Sequence, residues 1–305
     1  MSRNVIRAAP KSKWSMARQR FYRHRPATVS AIALLIIALL SLATPLFEAA
    51  RGIDGTQVNL TARFHLPSAE VWLGRDELGR DVFQRLLKGG QISLIVGLVT
   101  AVCAAFIGTA IGLIAGYRGG WLDAVLMRST DSIIALPLLP LLIVMAALDL
   151  NKLGLPATLI ESENISLYRI ICIVALVGWT TVARLVRSAA LSVRERDYVI
   201  AAKSLGASTF RIVTVHILPN LMSSIIVATT LSVGNIILLE SVLSFLGLGI
   251  QPPIPSWGNL LSNAQGLVST APWLALYPGI AIIATVAAFN FLGDGLQNAL
   301  DPKAH

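Results

Sequence analysis

The sequence predicts an all-α membrane protein with about six transmembrane helices. Its composition is 55% hydrophobic and only 13% charged, with a mean hydropathy of +0.70. A soluble fold seldom carries so few charges. The apolar residues are also concentrated: the uncharged runs from Gly89 to Tyr117 and from Ser241 to Gly293 each exceed the roughly 20 residues that cross a bilayer.

The amino-terminal segment 1–26 carries Arg3, Arg7, Lys11, Lys13, Arg18, Arg20, Arg23 and Arg25 ahead of the apolar run Ala27 to Phe47. A basic stretch before an apolar one resembles a signal peptide, but this run exceeds the 7–15 residues of such a core. It is read as a retained first span, 27–47. An extracytoplasmic loop, 48–90, follows. The remaining spans are expected at 91–116, 132–148, 168–190, 221–246 and 271–292, within a transmembrane core of 91–296, with a cytoplasmic tail at 297–305. The fourth span has the shortest uncharged core, Ile170 to Ala183, about 21 Å at 1.5 Å per residue. It crosses only if Arg169 and Arg184 snorkel to the two interfaces.

Charge sets the orientation. With the amino terminus inside, 17 of the 25 Lys and Arg fall on the cytoplasmic side, the bias of membrane proteins whose termini both lie inside. The first outer loop runs against it, holding Arg51, Arg63, Arg75, Arg80, Arg85 and Lys88. The formal charge of +9 is thus explained by topology, and no interleaving of basic and aromatic residues points to nucleic acid.

Within the second span Gly108, Gly112 and Gly116 recur every four residues. Lacking Cβ atoms, they form either a seam that another helix backbone can approach closely or simply a flexible glycine-rich helix. Pro137 and Pro140 in the third span and Pro278 in the sixth are expected to kink those helices. Cys103 and Cys172 lie in apolar segments and read as packing residues. His24, His65, His216 and His305 are scattered without metal-ligand spacing, so the sequence suggests no metal and no catalytic residue.

The cytoplasmic loop 191–219 carries the functional signal. Asp197 is placed as a helix N-cap, Ala201 and Ala202 are small helix formers, and Gly206 is a C-terminal stop. Two adjacent alanines leave a low ridge suited to a groove on a partner, with Tyr198 and Leu205 as larger anchors. The plainer reading is an amphipathic helix on the membrane surface, which Arg194, Arg196, Lys203 and Arg211 would also support.

This loop resembles one found in permeases of ATP-binding-cassette importers. There two alanines, three further residues and a glycine precede an apolar stretch ending in Leu-Pro, here Ala201, Ala202, Gly206, Leu218 and Pro219. Ile200 and His216 depart from the pattern, where many relatives have Glu and Ile. The likeness narrows to the second, C-type permease of the dipeptide, oligopeptide and nickel branch through residues 73–83 (LGRDELGRDVF), 112–120 (GLIAGYRGG), 243–249 (LSFLGLG), Gln251-Pro252-Pro253, Pro255-Ser256-Trp257-Gly258, Ala271-Pro272-Trp273 and 290–302 (NFLGDGLQNALDP). The outer region Asp149 to Leu167 is longer than that branch suggests.

The resemblance implies a type I transmembrane domain in the bacterial inner membrane, half of a path for peptides, whose helix around Ala201 couples to a cytoplasmic ATPase. It implies a second homologous permease, two ATPase subunits that bind ATP and Mg, and an extracytoplasmic solute-binding protein. Alternative cargoes in the same architecture are nickel, glutathione or another small solute. None of the six lysines follows a glycine, so this chain has no Gly-Lys phosphate loop of its own. Glu240 is the acid expected inside a span, lining the passage or meeting the partner permease, unless it is an interfacial carboxylate with a polar neighbour such as Asn235 or Ser241. Asp131 reads as a helix N-terminal residue at the cytoplasmic interface. Trp257, Trp273 and Tyr277 read as membrane-belt aromatics. Secondary transport would predict inverted repeats and paired midplane acids, which the sequence does not display.

Overall fold

The computed structural model describes residues 13–300, apart from 53 and 155. Expectations for 1–12 and 301–305 lie outside the described residues. The described chain is helical: its sole β pairing is an isolated bridge between Arg75 and Asp81. Five helices are long and apolar enough to cross a membrane, or up to six if one sharply bent pair counts as a span.

A basic helix α1 (Lys13–Arg23) leads into α2 (Arg25–Leu42). His24 caps α2, its ring accepting from the Ala27 N–H at 3.3 Å. The first span was expected to run unbroken to 47, but α2 stops at Leu42 and α3 (Thr44–Arg51) begins separately. Pro45 explains the break: it lacks the N–H that would bond to Ser41. The Thr44 hydroxyl takes that carbonyl instead, at 2.6 Å.

Helix α4 (Val82–Arg118) is 37 residues long, starting nine residues before the expected span. At 1.5 Å per residue it reaches about 55 Å, so its outer turns stand beyond the bilayer's ~30 Å hydrocarbon core. Asp81 caps it, accepting from the Gln84 N–H at 2.9 Å. Apolarity alone misplaced this boundary, because Arg85 and Lys88 are good helix formers.

The third span is the largest correction. In place of one helix at 132–148 the chain forms α5 (Gly120–Ala135) and α6 (Leu138–Ala146), bent by 87°. Pro137 disfavours helical ψ at Leu136, which adopts ψ 139. The expected kink is therefore a full break. The outer loop then holds a short α7 (Ala157–Ile160).

Helix α8 (Ile165–Arg194) has 30 residues, longer than the marginal span expected there. After it come α9 (Asp197–Ser204), α10 (Thr209–Arg211), a π-helical turn (Ile212–Ile217) and α11 (Leu218–Phe245). Residues Thr209–Phe245 form one apolar helical rod, with Pro219 in the first turn of α11, where a missing N–H is tolerated. An outer turn leads to α12 (Trp257–Ala264), and α13 (Trp273–Leu300) completes the bundle, ending eight residues beyond the expected span.

Among the described residues four clusters form the core, two of them large. The larger gathers Val96, Leu142, Ile170, Val174, Ile237 and Leu243 in its buried centre. The second, toward loop 191–219, gathers Val182, Val186, Val199, Ile212, Ile217 and Leu221. The bundle also leaves large apolar residues exposed, such as Phe106, Trp121 and Ile283. On a membrane helix these are the residues lipid or a partner span would cover.

Candidate functional site

The loop 191–219 folds as one small structure fixed to the inner ends of α8 and α11. Arg196, in extended conformation, is the N-cap of α9. Asp197 therefore occupies the first helical turn instead of the cap expected for it, where its charge still favours the helix dipole. At the other end Gly206 has φ +82. This left-handed residue lets the Gly206 N–H donate to Lys203 at 3.0 Å and the Ala207 N–H to Ala202 at 3.1 Å, a Schellman closure.

One side chain anchors the element. Val199 is 3% exposed and packs among Val186, Ala190, Ile212, Ile217 and Leu221. Sequence reasoning passed over it, although an apolar residue one position after Tyr198 points away from the face defined by 198, 201, 202 and 205. That outward face carries Tyr198, Ala201 and a half-buried Ala202, and it ends at Leu205, which is 88% exposed. Ile200 is exposed beside it, and Phe210, 78% exposed, extends the apolar surface past the glycine turn. Phe210 was also missed, its signal being an aromatic in a loop otherwise rich in charge. The Tyr198 and His216 rings lie 6.5 Å apart, so His216 braces α9. Pro219 is exposed in the first turn of α11.

Behind the loop, α4 and α8 touch backbone to backbone. A Cβ on Gly108 would lie 2.6 Å from the Trp179 carbonyl, one on Gly112 would lie 2.6 Å from the Ala183 carbonyl, and one on Gly116 would lie 2.8 Å from both the Arg187 carbonyl and the Ala190 Cβ. Such spacing leaves no room for any side chain. Arg194 closes the seam at the inner end, donating to the Gly116 carbonyl at 3.0 Å.

Two carboxylates hold α5 to α8. Asp123 receives both Nε and a terminal nitrogen of Arg187, at 2.5 and 2.6 Å, a bidentate fork. Asp131 pairs with Arg184. Asp131 was expected at a helix N-terminus but lies near the C-terminal end of α5, where the dipole disfavours its charge and Arg184 supplies the compensation.

Glu240 is 0% exposed. Its carboxylate accepts from the Ser244 hydroxyl at 2.7 Å and the Ser93 hydroxyl at 3.3 Å, with Ser241 and Ser256 also against it. Those two donors in turn accept backbone N–H groups, Ser244 from Ile250 and Ser93 from Trp257. The carboxylate thus ties the outer turn to α4 and α11 and faces no opening. Asn235, the other residue suggested for a path, is not beside it but on an exposed part of α11.

This geometry defines a class, a multi-span helical membrane protein with a compact helical element between two of its long helices. Comparison with known proteins then places it. A family described as the inner-membrane component of binding-protein-dependent transport systems matches residues 108–305, and the chain belongs to that family. Residues 12–67 match a second family, the N-terminal membrane domain of oligopeptide transport permease C, so within the importers it sits among the C-type peptide permeases. It is 39% identical over 292 residues to a dipeptide transport system permease protein of Alkalihalophilus pseudofirmus, covering 96% of this chain and 90% of that relative. It is 37% identical to an oligopeptide transport system permease protein of Bacillus subtilis, with the same coverage. It is 38% identical over 296 residues to a glutathione transport system permease protein of Pectobacterium atrosepticum, covering 96% and 92%.

Proposed function

We propose that this chain forms half of the path by which short peptides cross the bacterial inner membrane, and that separate ATPase subunits drive it through α9. The observation that carries the reading is the build of that helix: anchored by Val199, it turns Tyr198, Ala201, Ala202 and Leu205 outward. A helix laid on its partner by an apolar ridge is a recurrent docking mode. The full importer then comprises this chain, a second homologous permease, two ATPases holding ATP and Mg, and an extracytoplasmic binding protein. Both termini lie in the cytoplasm, because α9 must share a side with the ATPases and the Lys and Arg bias agrees. The chain itself contributes no nucleotide chemistry.

Relatives named for dipeptide and oligopeptide transport support short peptides as cargo. A relative named for glutathione transport supports a second reading, in which the cargo is that tripeptide.

The test is uptake of labelled dialanine and labelled glutathione by vesicles holding the assembled importer and its binding protein. ATP-dependent accumulation of dialanine, lost with Gly206→Asp while membrane insertion persists, is the expected result. Normal uptake by an inserted Gly206→Asp chain would remove α9 from the drive. Accumulation of glutathione alone would move the cargo to the second reading.

A further inference from the structure

The outer end of α8 contains a charged cavity that the docking argument does not use. It is a half-open cleft of about 250 Å³, far more than the ~10–15 Å³ that holds one water. One wall is the long outer loop, through Glu163. The other is the outer turn, through Gln251, Pro252 and Pro253, and Ser166 and Arg169 of α8 line it between them. The outer turn is tied to α8: the Gln251 N–H donates to the Ser166 hydroxyl at 3.2 Å.

Arg169 is the unusual group. Its Nε is buried and has no hydrogen-bond partner among the described residues. One terminal nitrogen reaches the Leu248 carbonyl only at 3.5 Å. A buried, unpaired guanidinium N–H is costly, and no carboxylate forms an ion pair with it among the described residues. The guanidinium is a planar fork matched to carboxylate geometry. The Nε itself has almost no accessible surface, so a ligand in the cavity meets only the rest of the half-buried Arg169 side chain.

We infer that the cavity is a capture subsite for the free carboxylate of a short zwitterionic peptide, held by Arg169 at the outer mouth. The inference rests on the peptide-import reading and adds a specificity residue to it. Glu163 on the rim decides between ligand classes. Its negative charge repels a bare anion such as phosphate, whereas a zwitterion brings an ammonium for the carboxylate and a carboxylate for the guanidinium. The long outer loop then has a function, since it supplies the acid side of the pair.

The experiment compares dialanine with dialanine amide, which lacks the free carboxylate, in vesicles with the assembled importer. Each rate is taken as variant over wild type, so the binding protein's own preference cancels. Arg169→Gln should lower dialanine uptake below saturation about tenfold, the scale of one charge-assisted hydrogen bond, and leave uptake of the amide unchanged. Arg169→Lys keeps the charge without the fork and should give a smaller loss, again confined to dialanine. It also serves if Arg169→Gln fails to insert. Equal losses for both peptides would mark Arg169 as structural and overturn the subsite, as would no loss for either. Wild-type vesicles that import neither peptide would defeat the peptide-import reading itself, and the subsite with it.

Discussion

Gly112→Ala adds a single methyl group at one of the two tightest points between α4 and α8, Gly108 being the other. The new Cβ would lie 2.6 Å from the Ala183 carbonyl oxygen, 2.8 Å from the Val186 Cβ and 3.0 Å from the Arg187 nitrogen. Ordinary contacts sit at about 3.5–4.0 Å, so the helices must part by close to ~1 Å. Two of the three clashing atoms are backbone and cannot swing aside. A gap of that size forfeits a quarter to a half of each contact's attraction, and the contacts at Gly108 and Gly116 share it. Overpacking costs about 1–3 kcal/mol, against which Ala recovers up to ~1 kcal/mol of helix propensity over Gly. The net expectation is a loss of about 1–2 kcal/mol, a factor of roughly 5–30 in the folded population. Reversible denaturation of the purified chain in micelles measures it. Gly178→Ala is the control on the facing helix, where the Cβ meets only the Ala104 Cβ at 3.5 Å, an ordinary contact, and it should be neutral or mildly stabilising. If Gly112→Ala proves as stable as Gly178→Ala, the seam is not close-packed and the reasoning fails.

The docking face and its anchor should respond differently. Leu205→Ala, at an 88% exposed site, should leave stability within about 0.5 kcal/mol yet weaken ATPase association, read by co-purification; unchanged association would exclude Leu205 from the interface. Val199→Asp places a carboxylate at a site 3% exposed, a burial expensive without a partner, so protease should cut loop 191–219 faster in the variant, and an unchanged rate would deny the anchor. Glu240→Gln supplies an NH₂ where two serine hydroxyls donate, leaving a buried donor without an acceptor at a cost of about 1–3 kcal/mol; amide exchange should quicken at Ile250 and Trp257, whose N–H groups the serines accept, and equal protection would contradict the network. For Asp123 and Arg187, whose side chains are 15% and 33% exposed, a double-mutant cycle to Ala should give a coupling of about 0.5–1 kcal/mol after solvent screening; a coupling of zero would leave α5 held by other contacts.

Long apolar runs made the spans legible, since a 20-residue requirement is a strong constraint that few other folds meet. The glycine spacing likewise pointed to one helix face before any partner was visible. What failed was local. Pro45 and Pro137 each end a helix outright, because the freed carbonyl of Ser41 finds Thr44 and Leu136 takes extended ψ, outcomes that depend on neighbours as well as on the proline. The start of α4 was hidden because charged residues and helix are compatible. Glu240 illustrates a deeper limit. Its partners Ser93 and Ser256 lie far from it in sequence, and a serine among apolar residues gives no sign of the carboxylate it will meet. Arg169 was noticed as a charge near a span end, but its cavity is made by two loops whose approach no periodicity encodes.

The packing also says which parts can move together. Val199 sits in a cluster shared by α8 and the rod ending in α11, so a force on Tyr198 or Leu205 reaches both long helices without an intervening flexible joint. The α4–α8 seam has no slack, hence α4 must follow α8. At its outer end α4 meets the outer turn through Ser93 and Glu240, and a Cβ on Gly90 would lie 2.8 Å from the Trp257 ring. Helix α9, the seam and the outer turn therefore form one contiguous packed region. The pair α5–α6 is broken at an 87° bend: Leu142 and Ala146 pack α6 into the larger cluster, while Trp121, Val125, Leu136 and Val144 are exposed and Asp123 and Asp131 pair with α8. Close-packed interiors shift as bodies and bend at their few unpacked joints. In the proposed importer, movement driven at α9 would therefore reach the outer turn through α8 and α4.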